Sequence, residues 1–493
     1  VLSFSGLLKD ERRLLVIVLL VYLATRLPLL GYLPFIKDEG IYAMMAIEQA
    51  AGPSLVPTFM GYPVGWKPAP FFWLHSPLLG LPLPLEVAFR LPSFLAGLAT
   101  IPLLFGILRN TGATPAVSFF SVLIFTLSLP SMYPDAAVLT DSLNFMLVCC
   151  SLYLYTANAL PKTRFLAAGA FVFLAFFIKL VLAFMAPLLA IVFLWSADRK
   201  ALKNPLFLLS LAAAPAAFAL NFAVLETSSL AHESLAANVI DHLISPGGFE
   251  MQLEYFTGSM SAFLVGAGLW FALSLAGAWM HWRSSPMMTL WYLLSVFPML
   301  SGSYMIWYFL PVMPAISYFA AMVLLRWDNA DKADLFFGMF FVAVMVISVS
   351  YLFLFYESMH ASFNPEREAG LMMAGKENVL IIGNYPPSVA AYKTLTELRG
   401  GGRALDYGYV TSNRLMKDEE VRAFLEDYGS DEFPVQDGSF NGFFSRAGLF
   451  RKDTTITHFD YIVLSGSFNA TLPAGASMIY NSTTRNLTIY EVN

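Results

Sequence analysis

Apolar residues in this chain fall into long unbroken runs rather than the 3.6-residue stripe of a helix with one face in water. The runs lie at about Leu14–Leu30, Ser93–Leu108, Ala116–Leu129, Leu143–Ala157, Phe165–Phe177, Leu180–Trp195, Leu206–Leu225, Ser259–Met280, Met287–Gly302, Ile306–Leu325 and Leu335–Tyr356. A helix rises about 1.5 Å per residue, so a run of roughly 17 to 20 residues matches a hydrocarbon layer about 30 Å thick. The pattern predicts a polytopic α-helical membrane protein with about 11 transmembrane helices.

The stretch Phe165–Trp195 decides the parity of that count. As one helix its 31 residues would reach roughly 46 Å, too long for a single crossing. Two short helices with Lys179 at the outer tip keep Arg199, Lys200 and Lys203 on the side of Lys9, Arg12, Arg13, Arg109, Lys162, Arg164, Arg283, Arg326 and Lys332. Basic residues concentrate on the cytoplasmic side of membrane proteins, which places the N-terminus inside and the end of the chain outside. The loop from Glu226 to Met260 agrees, with Glu226, Glu233, Asp241, Glu250 and Glu254 but no Lys or Arg.

After residue 356 the pattern changes. The segment 357–493 holds 12 of the 29 Lys and Arg residues and alternates like a soluble α/β domain. Strands are expected at Asn378–Ile382 and Asp460–Leu464, helices at Pro387–Leu398 and Glu419–Tyr428, and a terminal hairpin from Met478–Tyr480 with Leu487–Glu491. The expected organisation is a transmembrane domain over 1–356, with a first outer loop at 31–92, followed by an extracytoplasmic C-terminal α/β domain over 357–493. Sequons at Asn469, Asn481 and Asn486 agree with that side, while Gly400–Gly402 reads as a flexible turn. No cleavable leader is evident, and no internal repeat of the kind common in transporters is visible.

Composition sharpens this picture. The chain is 57% hydrophobic and 13% charged, with mean hydropathy +0.64, 44 Phe and 22 Met, outside the range of soluble proteins. A net charge of −5 with no basic stripe excludes a nucleic-acid partner. Cys149 and Cys150 are adjacent inside an apolar run, where cysteines act as small hydrophobes. His75, His232 and His242 have no close ligand spacing, so no metal site is expected, and a divalent metal is left open.

Where charge is scarce, the loop Ile36–Gly80 stands out with Lys37, Asp38, Glu39, Glu48, Lys67 and His75. Asp38 and Glu39 open an expected helix over Gly40–Ala50, and an acidic residue there either caps the free N–H groups or performs chemistry. Lys67 follows in the same outer loop, and Arg90, Asp141 and Lys179 fall at the outer ends of predicted spans. Charges within lipid are costly, and their recurrence on one side points to a site. Each has a structural alternative. Lys67 can snorkel to headgroups, Arg26 and Arg90 can pair with acidic loop residues, and Asp141 can cap its helix or hold the first loop. Glu39 either orients a hydroxyl or stays solvated, His75 reads as an aromatic-interface residue, and Tyr308 shapes a lipid-facing groove.

In order along the chain, Arg26, Asp38-Glu39 with Tyr42, Lys67-Pro68-Ala69-Pro70, Arg90-Leu91-Pro92, Asp141, Lys179 and Tyr308-Phe309-Leu310-Pro311 resemble the protein O-mannosyltransferase and aminoarabinose transferase superfamily. These are C-type glycosyltransferases of the family 39 kind, and the likeness spans about residues 14 to 325. The resemblance implies transfer of a sugar, mannose or another hexose or a pentose, from a polyprenyl- or dolichyl-phosphate donor. The acceptor is an extracytoplasmic hydroxyl on a protein, glycan or lipid. It implies Asp38 as catalytic base, Glu39 and Asp141 as supporting acids, and Lys67, Lys179 and Arg90 as phosphate ligands. Arg26, Tyr42, His75 and Tyr308 stand further back, and no cofactor is implied. Two rival classes predict other behaviour: a lipid-carrier flippase would carry charge near the bilayer midplane, and a noncatalytic receptor would tolerate loss of Asp38.

Overall fold

The computed structural model describes residues 10–36, 38–59, 62–65, 67–179, 182–227, 248–300, 306–326, 333–376, 379–383, 386–399, 408–411, 448–451, 460–465, 475–482 and 487–492. Lys37, His232, His242, Gly400–Gly402, Asn469, Asn486 and the helix expected at Glu419–Tyr428 lie outside these residues.

A helix occupies each of the eleven apolar runs. In chain order the helices are α1 (Glu11–Arg26), α2 (Asp38–Ala51), α3 (Pro70–His75), α4 (Leu85–Asn110), α5 (Pro115–Leu127), α6 (Leu129–Asp135), α7 (Thr140–Thr156) and α8 (Arg164–Phe176). They continue with α9 (Met185–Ala197), α10 (Pro205–Leu211), α11 (Ala213–Glu226), α12 (Gly248–His281), α13 (Pro286–Leu300), α14 (Met313–Arg326), α15 (Ala333–Met373) and α16 (Pro386–Arg399). Among the described residues, Leu85–Asn110, Pro205–Glu226 and Tyr308–Leu325 are long and apolar enough to cross a membrane, and the bent pair α5 and α6 makes a fourth if it is one span. Phe165–Trp195 is broken as expected, with Lys179 in the gap between α8 and α9.

The chain forms two compact units. The first comprises residues 1–29, 90–223 and 235–354. Its helix ends follow local chemistry: Thr114 caps α5 by accepting from Val117 N–H at 3.2 Å, and Pro115 and Pro205 occupy first-turn positions where a missing N–H costs nothing. Between α5 and α6 the axis turns by 62°, and the Ser128 and Ser131 hydroxyls both donate to Phe125 O, which also accepts Ser128 N–H at 3.1 Å. Helix α12 packs along α14, α14 on α5, and α7 on α8.

The second unit comprises residues 30–89, 224–234 and 355–493. The sequence groups the first loop with the membrane part; in the structure that loop packs with the C-terminal segment. A six-stranded sheet has the order β5-β4-β3-β6-β8-β7, built from β3 (Val379–Gly383), β4 (Gly408–Thr411), β5 (Gly448–Arg451), β6 (Tyr461–Ser465), β7 (Ala476–Ser482) and β8 (Leu487–Val492). Strand β3 runs parallel to β4 and β6, and β7 and β8 form the expected antiparallel hairpin. A short ribbon, β1 (Thr58–Phe59) with β2 (Tyr62–Pro63), follows α2.

Helix α16 lies on β3 and also packs against α2. Tyr392, 1% exposed, fixes that contact: its ring stacks on Phe35 at 4.9 Å, its hydroxyl accepts Phe35 N–H at 2.7 Å and donates to Glu86 at 3.0 Å. Glu86 also accepts from Arg367 Nε at 2.9 Å. The start of the acidic loop helix is thereby held by groups from the far end of the sequence.

Candidate functional site

Helix α2 begins at the acidic pair. Glu39, 1% exposed, reaches back so that its Oε2 accepts Ile36 N–H at 3.0 Å, which satisfies one of the donors left open at a helix N-terminus. Asp38 sits half-buried in the first turn. One turn on, Tyr42 is buried edge-to-face against Phe71 at 5.6 Å and tilted against Phe72 at 6.0 Å, which joins α2 to α3. Lys67 is half-buried just before α3.

His75 ends α3. It is 1% exposed and lies against the rings of Phe71 at 4.4 Å and Phe89 at 6.2 Å, and its Nδ1–H donates to Phe71 O at 2.8 Å. Burial disfavours the charged imidazolium and lowers its pKa from 6.5 to about 4, so the ring is neutral at physiological pH. It is an aromatic-core histidine.

In the first unit, Asp141, Lys179 and Tyr308 come together. Lys179 Nζ donates to Asp141 Oδ1 at 2.6 Å and lies 4.3 Å from the centroid of the Tyr308 ring. The Lys179 side chain is 14% exposed and that of Asp141 4%. The backbone is arranged for this. Lys179 stands in the break after α8, and Asn144, one turn beyond Asp141 on α7, donates through Nδ2 to Ala175 O at 2.5 Å and Lys179 O at 3.0 Å. Ala175 O also accepts the N–H groups of Ile178 and Lys179, each at 3.0 Å, so the break is bonded from both helices.

Arg26 lies elsewhere in the same unit, fully buried. Its Nη1 donates to Thr25 Oγ1 at 2.8 Å and Nη2 to Ser131 Oγ at 3.1 Å, its Nε lies 3.7 Å from Asp135 Oδ2, and its guanidinium covers the Tyr22 ring at 4.6 Å. Asp135 accepts from Ser142 Oγ at 2.7 Å, and Gly97 leaves the room, because a Cβ there would collide with Tyr22 Oη and the Asp135 carboxylate. The pairing of Arg26 with an acidic residue matches its structural reading. Arg90 is fully buried in α4.

The sequence reading passes over Asp135, and it places Asn144 only at the third helical position of a helix capped by Asp141. Asp135 had a signal, an acid directly after Pro134 between apolar runs. Among the described residues no three His, Cys, Asp or Glu side chains gather as a metal cage.

Residues 67–222 match the model of the dolichyl-phosphate-mannose-protein mannosyltransferase family, a span that holds Lys67, Arg90, Asp141 and Lys179 but not Asp38. The structure is similar to ArnT from Cupriavidus metallidurans in the apo state, with 16% identity, 97% of each chain covered and a TM-score of 0.60. It is similar to the same protein bound to undecaprenyl phosphate, with 15% identity over 97% of this chain and 98% of that one and a TM-score of 0.56. The archaeal oligosaccharyltransferase AglB from Archaeoglobus fulgidus, in complex with an inhibitory peptide and a dolichol-phosphate, matches at 12% identity over 98% of this chain and 74% of that one, with a TM-score of 0.54. No curated protein sequence matches the chain. The shared fold is that of ArnT and AglB, and the family-model match over residues 67–222 agrees with the resemblance read from the motifs.

Proposed function

We propose that this protein is a membrane glycosyltransferase that moves a sugar from a polyprenyl- or dolichyl-phosphate carrier to an acceptor hydroxyl with inversion at the anomeric carbon. The observation that carries the reading is Lys179, a cation held at a helix break by Asp141 and Tyr308 within the segment matched by the family model. A fixed cation in an apolar setting stabilises the charge that develops on a departing phosphate, and it does so without reorganisation when that charge appears. Lys67 and Arg90 are assigned to the same phosphate.

Asp38 is assigned as the base. Asp38 stands half-buried in the first turn of α2, in the position that the family resemblance gives to the base. A carboxylate within hydrogen-bond reach of the acceptor hydroxyl takes its proton as the new C–O bond forms. The sugar remains open between mannose, another hexose and a pentose. The further assignment is that the N-terminus is cytoplasmic, that catalysis takes place on the extracytoplasmic side, and that 357–493 forms a domain there.

The test is transfer of labelled sugar from a panel of polyprenyl-phosphate sugars by purified protein in lipid, with Asp38→Asn beside wild type. Loss of about 10²- to 10⁴-fold in rate with donor binding retained supports the base role. Equal activity of the two proteins removes Asp38 from it, and a folded wild type that neither binds nor uses any donor refutes the reading.

A further inference from the structure

At the far end of α2 the second unit holds a cavity of about 380 Å³, lined by Gln49, Ala50, Pro53, Trp73, Ser76 and Pro77. Its wall is mainly apolar, with Gln49 and Ser76 among the lining side chains. Gln49 is 1% exposed, and its Oε1 accepts both Ser54 N–H and Trp73 Nε1–H, each at 2.9 Å. Two donors on one atom identify it as the oxygen, so the other end of the amide is NH₂. That Nε2 has no hydrogen-bond partner among the described residues, although a buried donor left unmet is costly. Trp73 is 38% exposed and fixed by its N–H, Ser76 Oγ is tied to Ala46 O and Phe72 O, and two prolines complete the wall.

We propose that this cavity is a saccharide subsite for the acceptor. A sugar ring has an apolar C–H face, which an indole covers, and oxygens at its rim, which an amide N–H₂ can serve as donor. A charged ligand would find no counter-ion in the wall. Asp38 and Gln49 lie on the same helix, eleven residues apart, or about 16 Å at 1.5 Å per residue. An acceptor that touches both is an extended glycan of several rings, bound through a ring remote from the reacting hydroxyl. This refines the proposed function, resting on Asp38 only for the word acceptor.

The test is saturation-transfer NMR on the full chain in a detergent without a sugar headgroup. The probes are neutral glucose and mannose oligosaccharides of one to four rings, with a Pro/Thr-rich peptide as comparator. Ring protons of the longer saccharides should receive saturation in the wild-type protein. Trp73→Ala should weaken binding at least about tenfold. Trp73→Phe, which keeps a ring, should retain most of it. Gln49→Glu keeps an acceptor for Ser54 N–H and Trp73 N–H but removes the NH₂ donor, and should weaken binding about tenfold.

The proposal is overturned if no saccharide is saturated, if saturation survives Trp73→Ala unchanged, or if only the peptide or the detergent chain binds. Sugar transfer without saccharide binding would remove this subsite and leave the proposed function standing. Saccharide binding without transfer from any donor would do the reverse.

Discussion

Two buried cation–carboxylate pairs stand in the first unit, and they are built differently. Arg26 and Asp135 are 0% and 4% exposed, tied into Thr25, Ser131, Ser142 and the Tyr22 ring, with Gly97 trimmed to admit them. Lys179 and Asp141 are 14% and 4% exposed, and the lysine sits at a helix break beside one aromatic ring. Arginine presents a planar fork suited to permanent attachment, whereas a lysine ammonium on its flexible stem can exchange one anion for another. The first pair locks α1 to the α6–α7 corner, and the second holds the cation proposed to meet the phosphate.

The strongest way to break this contrast is Arg26→Leu. It leaves Asp135 buried without its cation and should cost about 3–5 kcal/mol of stability, read as a lowered unfolding midpoint in detergent. Activity should fall only with the folded fraction. Lys179→Ala strands Asp141 in turn and should lower the midpoint as well, but transfer per folded molecule should fall about 10²- to 10³-fold. If Lys179→Ala unfolds the protein while Arg26→Leu spares it, the two roles are reversed.

His75 supplies a control outside both pairs. Its folded pKa, about 4, lies below the ordinary 6.5. Between these values the unfolded chain binds a proton that the folded chain refuses, so stability is fully present above about pH 6.5, declines as pH falls, and levels off below about pH 4. The depression corresponds to about 3 kcal/mol across that window. His75→Leu should flatten this part of the unfolding profile. The smallest effect belongs to Tyr308→Leu. Losing a cation–π contact of about 0.5–2 kcal/mol should raise the KM for donor by a few-fold, and Tyr308→Phe should change it little.

Features set by nearest neighbours along the chain were legible in the sequence. Helices occupy the apolar runs, Phe165–Trp195 breaks around Lys179, and β3, α16, β6 and the terminal hairpin fall within a few residues of expectation. Contacts between distant residues were not. Nothing local pairs Arg26 with a hydroxyl 105 residues on, or Phe35 N–H with a tyrosine 357 residues on, because such contacts depend on how helices pack rather than on periodicity. The same limit applies within the site. Lys179 and Asp141 were legible as costly charges, but their ion pair and Tyr308's place over the lysine depended on packing. Glu39 and Asp38 look equivalent in sequence, and only the backbone path through Ile36 separates them.

The two bonds from Asn144 across the break after α8 alter what Lys179 is attached to. Its main chain hangs from α7 as well as following α8, and its counter-ion Asp141 stands on α7 one turn away. Ammonium and carboxylate therefore ride on one carrier. Mechanically the residue belongs to a helix that does not contain it, and Asn144 fastens that helix both to the end of α8 through Ala175 O and to the break through Lys179 O.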